Sequence, residues 1–288
     1  MGKSIFCHSL NCLLEASDSE AGKVIGRLEQ LFPPIFTSED KMEARVFEVA
    51  CPQKTLSPLF PAEPVYVSEP CHRSPEEGSK GRVSAIGFLN GLLLFFWGEG
   101  RAKCLLFSDE GGVNFLTGSA HRLFFVAFSL WAAERGEFLV HSAAVRKNEK
   151  GYLFWGSSGA GKSTISRFFP SREVFSDEAP LIFRKNGAFY CARTPFCQQM
   201  RREEVLKPDC APVERSFFLH PSTSISVQAR DRLSALAEIV KNHIHSFFFI
   251  PAEVRRRAFD FFYDFCRIVP AFDLFFSLPG DISGVLDP

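Results

Sequence analysis

The stretch Gly151–Pro170, "GYLFWGSSGAGKSTISRFFP", limits what this chain can fold into more than any other segment. Gly156, Gly161, Lys162 and Ser163 satisfy the spacing G-x-x-x-x-G-K-[ST], and Gly159 adds a third glycine. Glycines let successive backbone N–H groups turn inward with no Cβ in the way, which makes an anion nest. The lysine supplies a mobile positive charge for the outer phosphates, and the neighbouring hydroxyl is placed to ligate Mg²⁺. Such a loop requires a strand before it and a helix after it. "YLFW" is therefore expected as the strand, and Ser163–Phe169 opens the helix. That helix aims its positive dipole end at the same anion. The bare spacing arises by chance in on the order of one in a hundred chains of this size, and the strand–helix context lowers that further.

The next acidic residues follow closely. "EVFSDEA" sets Asp177 and Glu178 only 15 residues after Lys162. That leaves room for one short helix and one strand, so the acidic pair is expected on the strand beside the loop. A carboxylate there can hold Mg²⁺, directly or through water, or accept a hydroxyl proton in phosphoryl transfer. A nucleoside-kinase-like fold needs more chain before its acidic strand, and the short spacing argues against it.

Bulk properties bound the rest. Lys+Arg and Asp+Glu both number 33 in the 288 residues, which argues against a dedicated nucleic-acid binder. Most of the 33 phenylalanines must be core, since so much aromatic area would not stay exposed. The nine cysteines include no CxxC pair, and the N-terminus lacks a signal-like apolar run. The longest apolar segment, "GFLNGLLLFFWGEG", is too short for a membrane span. The expectation is a reduced, cytoplasmic protein without a membrane segment.

The pattern changes along the chain. The first part reads as a β-rich α+β module over 1–134. It has strands at "SIFCHSLNCLL", "ARVFEVACP" and "EPVYVSE", and a helix capped by serine or aspartate in "SDSEAGKVIGRLEQLF". A hairpin is expected about Asn90-Gly91, then a third meander strand "AKCLLFS" and a buried helix over "TGSAHRLFFVAFSLWAAERG". Residues 135–288 alternate strand and helix. "GEFLVHSAAVRK" reads as one strand, and a hairpin turns at Lys185-Asn186-Gly187. Strands "RSFFLHP" and "SISVQAR" precede a helix, "DRLSALAEIVKNHIHSFF", started by Asp231. A second helix and a closing strand "AFDLFFSLP" complete the chain.

At Leu139–Phe196 the segments "LVHSAAVRKNEKGYLFWGSSGAGKSTISRFFP" and "VFSDEAPLIFRKNGAFYCARTPF" resemble the HPr kinase/phosphorylase-like kinases. Their P-loop core is related to that of phosphoenolpyruvate carboxykinase. The resemblance implies an α/β fold with a mixed sheet and a variable N-terminal domain. It implies that Gly156, Ser157, Ser158, Gly159, Ala160, Gly161, Lys162 and Ser163 bind the triphosphate of ATP or GTP with Mg²⁺, Thr164 touching the inner phosphate. It further implies Asp177 as general base, with Ser163, Asp177 and Glu178 around the metal. His141 falls beside the active centre, and Arg193 in "CARTPF" is an arginine for the transferring phosphate or a surface-turn residue. The glycine-rich signature of the bifunctional enzymes has no counterpart, and "QQMRREEVLKPDCAPVERS" stands in its place. The implied acceptor is therefore a different hydroxyl on a protein, a peptide or a small molecule. Relatives of this kind commonly form oligomers, which sets the expectation of a homo-oligomer. The rival reading is a nucleotide-binding regulatory or assembly protein without transferase activity.

Other features carry less. His243 and His245, read as helical, fall on different faces and make no natural metal pair. Glu203 and Glu204 read as a solvated helix or loop. Arg255-Arg256-Arg257 reads as a solvated helix face, and "FDFFYDF" as a core-facing helix.

Overall fold

The computed structural model describes residues 4–7, 10–31, 37–38, 45–51, 65–72, 82–88, 90–107, 112–196, 210–277 and 283–286. The chain divides into two compact units, Met1–Glu134 and Arg135–Pro288. Each is mixed α/β and carries its own mixed sheet. The segment holding Glu203 and Glu204 lies outside the described residues.

In the first unit the elements are β1 (Ser4–Cys7), β2 (Leu10–Ala16), α1 (Ser19–Leu31), β3 (Thr37–Ser38), β4 (Arg45–Ala50), β5 (Val65–His72), β6 (Arg82–Phe88), β7 (Gly91–Phe96), β8 (Arg101–Leu106) and α2 (Gly112–Glu134). The strand order is β3-β1-β2-β4-β8-β7-β6-β5. "SIFCHSLNCLL" is two strands rather than one, because Cys7 pairs back on Leu10. Helix α1 joins the parallel strands β2 and β4. Asp18 caps it by accepting from Ala21 N at 2.8 Å, and accepts from Cys51 N at 2.8 Å. Burial raises the Asp18 carboxyl, but these bonds outweigh it and hold it below its ordinary value. The β6–β7 turn falls one residue earlier than expected, since Phe88 pairs with Gly91. A Cβ on Gly91 would lie 2.6 Å from Leu123 Cδ1, so this glycine serves the packing of α2. Phe47, Phe95, Phe124, Phe128 and Trp131 fill the core between sheet and helix. Phe47 meets Phe124 edge-on at 5.1 Å.

The second unit runs β9 (Phe138–Leu139), β10 (Ser142–Lys147), β11 (Lys150–Trp155), α3 (Lys162–Ser166), β12 (Val174–Ser176), β13 (Leu181–Lys185), β14 (Ala188–Ala192), β15 (Cys210–Pro221), β16 (Ser226–Ala229), α4 (Arg232–Asn242), α5 (Ala252–Ile268) and β17 (Ala271–Phe276). The order is β12-β10-β11-β15-β14-β13-β9, with β17 on β15 and β16 on β17. Strands β11, β15 and β17 are parallel, so their C-terminal ends share one edge. Phe154, Phe217, Leu219, Leu274 and Phe276 pack with Ile165 of α3 on one face. On the other, Trp155 meets Phe218 and, from α5, Phe265. Each such side chain contributes about 1.5–3 kcal/mol on burial.

Three expectations are corrected here. The segment "GEFLVHSAAVRK" is broken at Val140-His141, with β9 pairing β13 and β10 pairing β11 and β12. The acidic strand is not beside the loop strand, because β10 lies between β11 and β12. Helix α4 ends at Asn242 rather than near Phe248, so His243 and His245 are not helical. The two hairpin residues Asn186 and Gly187 do turn left-handed as required, with φ of 51° and 82°. Asp231 caps α4 by accepting from Ser234 N at 2.9 Å.

Candidate functional site

The glycine loop leaves β11 at the shared C-terminal edge. Gly156 is enclosed: a Cβ there would lie 2.7 Å from the Ala160 Cβ. Gly159 and Gly161 have φ of 80° and 101°, a region that L side chains rarely enter. A Cβ on Gly161 would also strike Phe276 Cζ at 2.6 Å, whereas one on Gly159 would meet nothing within 4 Å. The loop is thus tight at its two ends and open at its crest. Ser157, Ser158 and Gly159 are exposed, and Ala160 is buried with its N donating to Ser157 O at 3.1 Å. Among the described residues the amides of Ser158, Gly159, Gly161 and Lys162 have no backbone acceptor.

Lys162 turns back into this loop. Its Nζ donates to Gly156 O at 2.7 Å and to Ser157 O at 3.0 Å, and the residue is only 7% exposed. Burial pushes its ammonium below the ordinary lysine value, and the Glu178 charge opposes that shift. A lone buried ammonium costs several kcal/mol; two charged hydrogen bonds at about 1.5–3 kcal/mol each offset much of this. The helix that follows has five residues, ended by the Ser166 hydroxyl bonding Lys162 O and Ser163 O and then by Pro170. Its dipole is slight at that length, which leaves the individual amides and Lys162 as the positive groups of the loop. The Ser163 side chain is exposed and Thr164 is half-buried.

The acidic pair sits where a ladder opens. Ala144 pairs with Ser176 on one side and Leu139 with Leu181 on the other, and both pairs keep one register. Continued across the gap, that register sets Ser142 opposite Glu178 and His141 opposite Ala179. The link Asp177–Pro180 therefore runs alongside the His141 bend. Ser176 Oγ shapes it, accepting from Glu178 N at 3.1 Å and Ala179 N at 2.8 Å while donating to Phe196 O at 3.2 Å. Asp177 is 3% exposed and Glu178 half-buried. Two strand spacings, about 9.5 Å, separate the β12 and β11 ends, and the Glu178 charge acts on Lys162 across that interval.

His141 lies at this gap, since the β10–β11 register carried on from Ser142–Trp155 sets it opposite Gly156. Burial first, then the charges of Lys162 and His243, lower its imidazole to about 4. It is neutral at neutral pH. Arg193 is 2% exposed, and its guanidinium donates to Val174 O and to Arg172 O at 2.7 Å while lying 5.5 Å over Phe175. The expectation of a surface-turn residue is overturned by that burial: Arg193 braces the strand that carries Asp177. Among the described residues no group of three or more His, Cys, Asp or Glu could hold a metal ion by itself.

Sequence reasoning missed His243, which the chain brings against His141 with ring centroids 6.1 Å apart. It missed Ser176 as well, although a serine two residues before an acidic turn residue is a common local backbone acceptor. The three basic residues Arg255, Arg256 and Arg257 are exposed on α5. No protein-family model matches the chain, and no curated protein matches it.

Proposed function

We propose that the second unit is an ATP- or GTP-dependent phosphotransferase with an HPr kinase-like P-loop core. The observation that carries this reading is the buried Lys162 folded onto a left-handed glycine loop, with Glu178 near enough for its charge to act on the ammonium. A triphosphate fits that donor set: four amides without a backbone acceptor and one ammonium belong to a loop with an open crest. Mg²⁺ also fits, because it is commonly held by one or two carboxylates and a hydroxyl together with phosphate oxygens, not by a closed protein cage. Ser163 and Glu178 would hold it, with Asp177 close by. The nucleotide supplies the transferable phosphoryl group, and the metal neutralises its charge.

The chain's own residues then divide the work. Lys162 and the amides of Gly159 and Gly161 position the terminal phosphate. Asp177 orients the acceptor hydroxyl and takes its proton. Arg193 acts through β12 as a positioning residue, and His141 offers a neutral imidazole beside Lys162. The acceptor is a hydroxyl, of the serine kind, on a protein, peptide or small molecule. With five cysteines outside any disulfide and no helix long and apolar enough to cross a membrane among the described residues, the cytoplasm is the proposed compartment.

One observation favours a second reading. The guanidinium of Arg193 is committed to backbone carbonyls, away from any role on transition-state charge, which suits a nucleotide-binding regulator. Acceptor-dependent ADP production measured beside nucleotide affinity separates the two. Turnover with any hydroxyl acceptor supports the kinase, and tight binding without turnover across a broad screen supports the regulator. Calorimetry with no heat for either purine triphosphate plus Mg²⁺ removes both.

A further inference from the structure

The residues after α4 form a clamp on the mouth of the site. Val140 and Ile244 bridge antiparallel, His141 N donates to His243 O at 2.8 Å, and His245 N donates to Leu139 O at 3.0 Å. His243 adds a side-chain bond, its Nδ1 lying 2.9 Å from His141 O. A carbonyl only accepts, so Nδ1 carries the proton. One residue thus grips His141 at both its N–H and its C=O. The His243 ring is 2% exposed and packs 5.5 Å from Trp155, the residue immediately before Gly156. Behind it, Glu238 Oε1 stands 3.7 Å from Nε2, and Glu238 Oε2 accepts from Arg230. Arg230 also bonds Asp273 and lies 4.0 Å over the Phe218 ring. The chain of contacts runs from the α4–α5 face of the sheet to the start of the glycine loop.

We propose that His243 is a positioning residue for the phosphate loop: it fixes the His141 bend and the end of β11, with Glu238 closing over the far side of its ring. The proposal rests on the reading of that loop as a nucleotide site. Its logic is geometric. Lys162 takes its bearings from the carbonyls of Gly156 and Ser157, and both follow directly on the strand end that His243 braces. A loop displaced by even an ångström loses much of its alignment with a bound phosphate.

The test uses the full chain with three substitutions, His243→Phe, His243→Asn and Glu238→Gln. Two quantities are read: hydrogen exchange of the Ala160 and Ile165 amides without nucleotide, and the affinity for a non-hydrolysable ATP analogue with Mg²⁺. His243→Phe keeps a ring but no donor, and is expected to speed exchange and weaken binding by about tenfold each. His243→Asn keeps a donor for His141 O and is expected to stay within about threefold of wild type on both. Glu238→Gln offers an N–H to the unpartnered His243 Nε2 where the carboxylate offers only a second acceptor; it is expected to slow exchange and tighten binding by about threefold, and it decides the matter if His243→Phe does not fold. Wild-type loop exchange in a folded His243→Phe, or in Glu238→Gln when His243→Phe does not fold, overturns the clamp. So does an Asn variant no better than Phe. If the wild type does not bind the analogue, the nucleotide reading falls, while the exchange data still decide whether His243 holds the loop.

Discussion

The two units build similar materials into different interiors. Both rest on a mixed sheet with phenylalanines beneath it. Among the described residues of the first unit, the buried polar groups are Ser84, Asn90, Thr117, Ser119 and Ser129, none of them charged. The second unit buries Lys162, Asp177, Arg193 and His243. Burying a charge costs several kcal/mol unless partners offset it. A fold that tolerates Lys162, Asp177 and Arg193 together with the buried His243 has its polar chemistry concentrated there, while the first unit is organised around apolar packing. The difference teaches where to look for activity: buried charged side chains gathered in one place mark a candidate site.

Substitutions should break that contrast in graded ways. Lys162→Ala is expected to have the largest effect, abolishing phosphoryl transfer by about 10³-fold or more in a steady-state assay while the first unit melts unchanged. Asp177→Asn should leave nucleotide affinity within about threefold and lower turnover by about 10²–10⁴-fold. Full activity in that variant would show that another group is the base. In the first unit, Phe128→Ala should cost about 3–5 kcal/mol by denaturant unfolding and leave nucleotide affinity unchanged. A fall in affinity would mean that the two interiors are not independent.

Smaller effects sharpen the picture within the loop. Gly161→Ala combines left-handed strain with a 2.6 Å approach to Phe276 Cζ, so it should lose more stability and more nucleotide affinity than Gly159→Ala. The latter carries only the backbone strain, about 1–2 kcal/mol. Acid should expose the same asymmetry more gently. His141 in the second unit is lowered to about 4, and His243 there and His121 in the first unit are also lowered, chiefly by burial. Unfolded chains protonate these rings near pH 6.5, while the folded protein resists until lower pH. Stability is therefore full above about 6.5 and falls as pH drops toward about 4. Calorimetric scans should show the second unit's melting temperature falling more steeply than the first's over that range, since it holds two of the three histidines.

Much of this was legible in the chain itself. Local rules found α1 with a serine or aspartate cap, which the fold assigns to Asp18, the Asn186-Gly187 hairpin, the meander of β6, β7 and β8, and the glycine loop after β11. Each depends on neighbours within a few residues, through caps, turns or alternation. The loop residues Gly156–Ser163 and the acids Asp177 and Glu178 were visible for the same reason. What the sequence did not disclose was which strand stands next to which. The insertion of β10 between β11 and β12, the break at Val140-His141 and the pairing of Ile244 with Val140 all join residues far apart in the chain. Strand order is set by the side chains of every layer packing at once, so no local window encodes it. For that reason Lys162 and its glycines could be named from spacing alone, whereas only the folded sheet put His243 behind His141 and turned Arg193 into a brace.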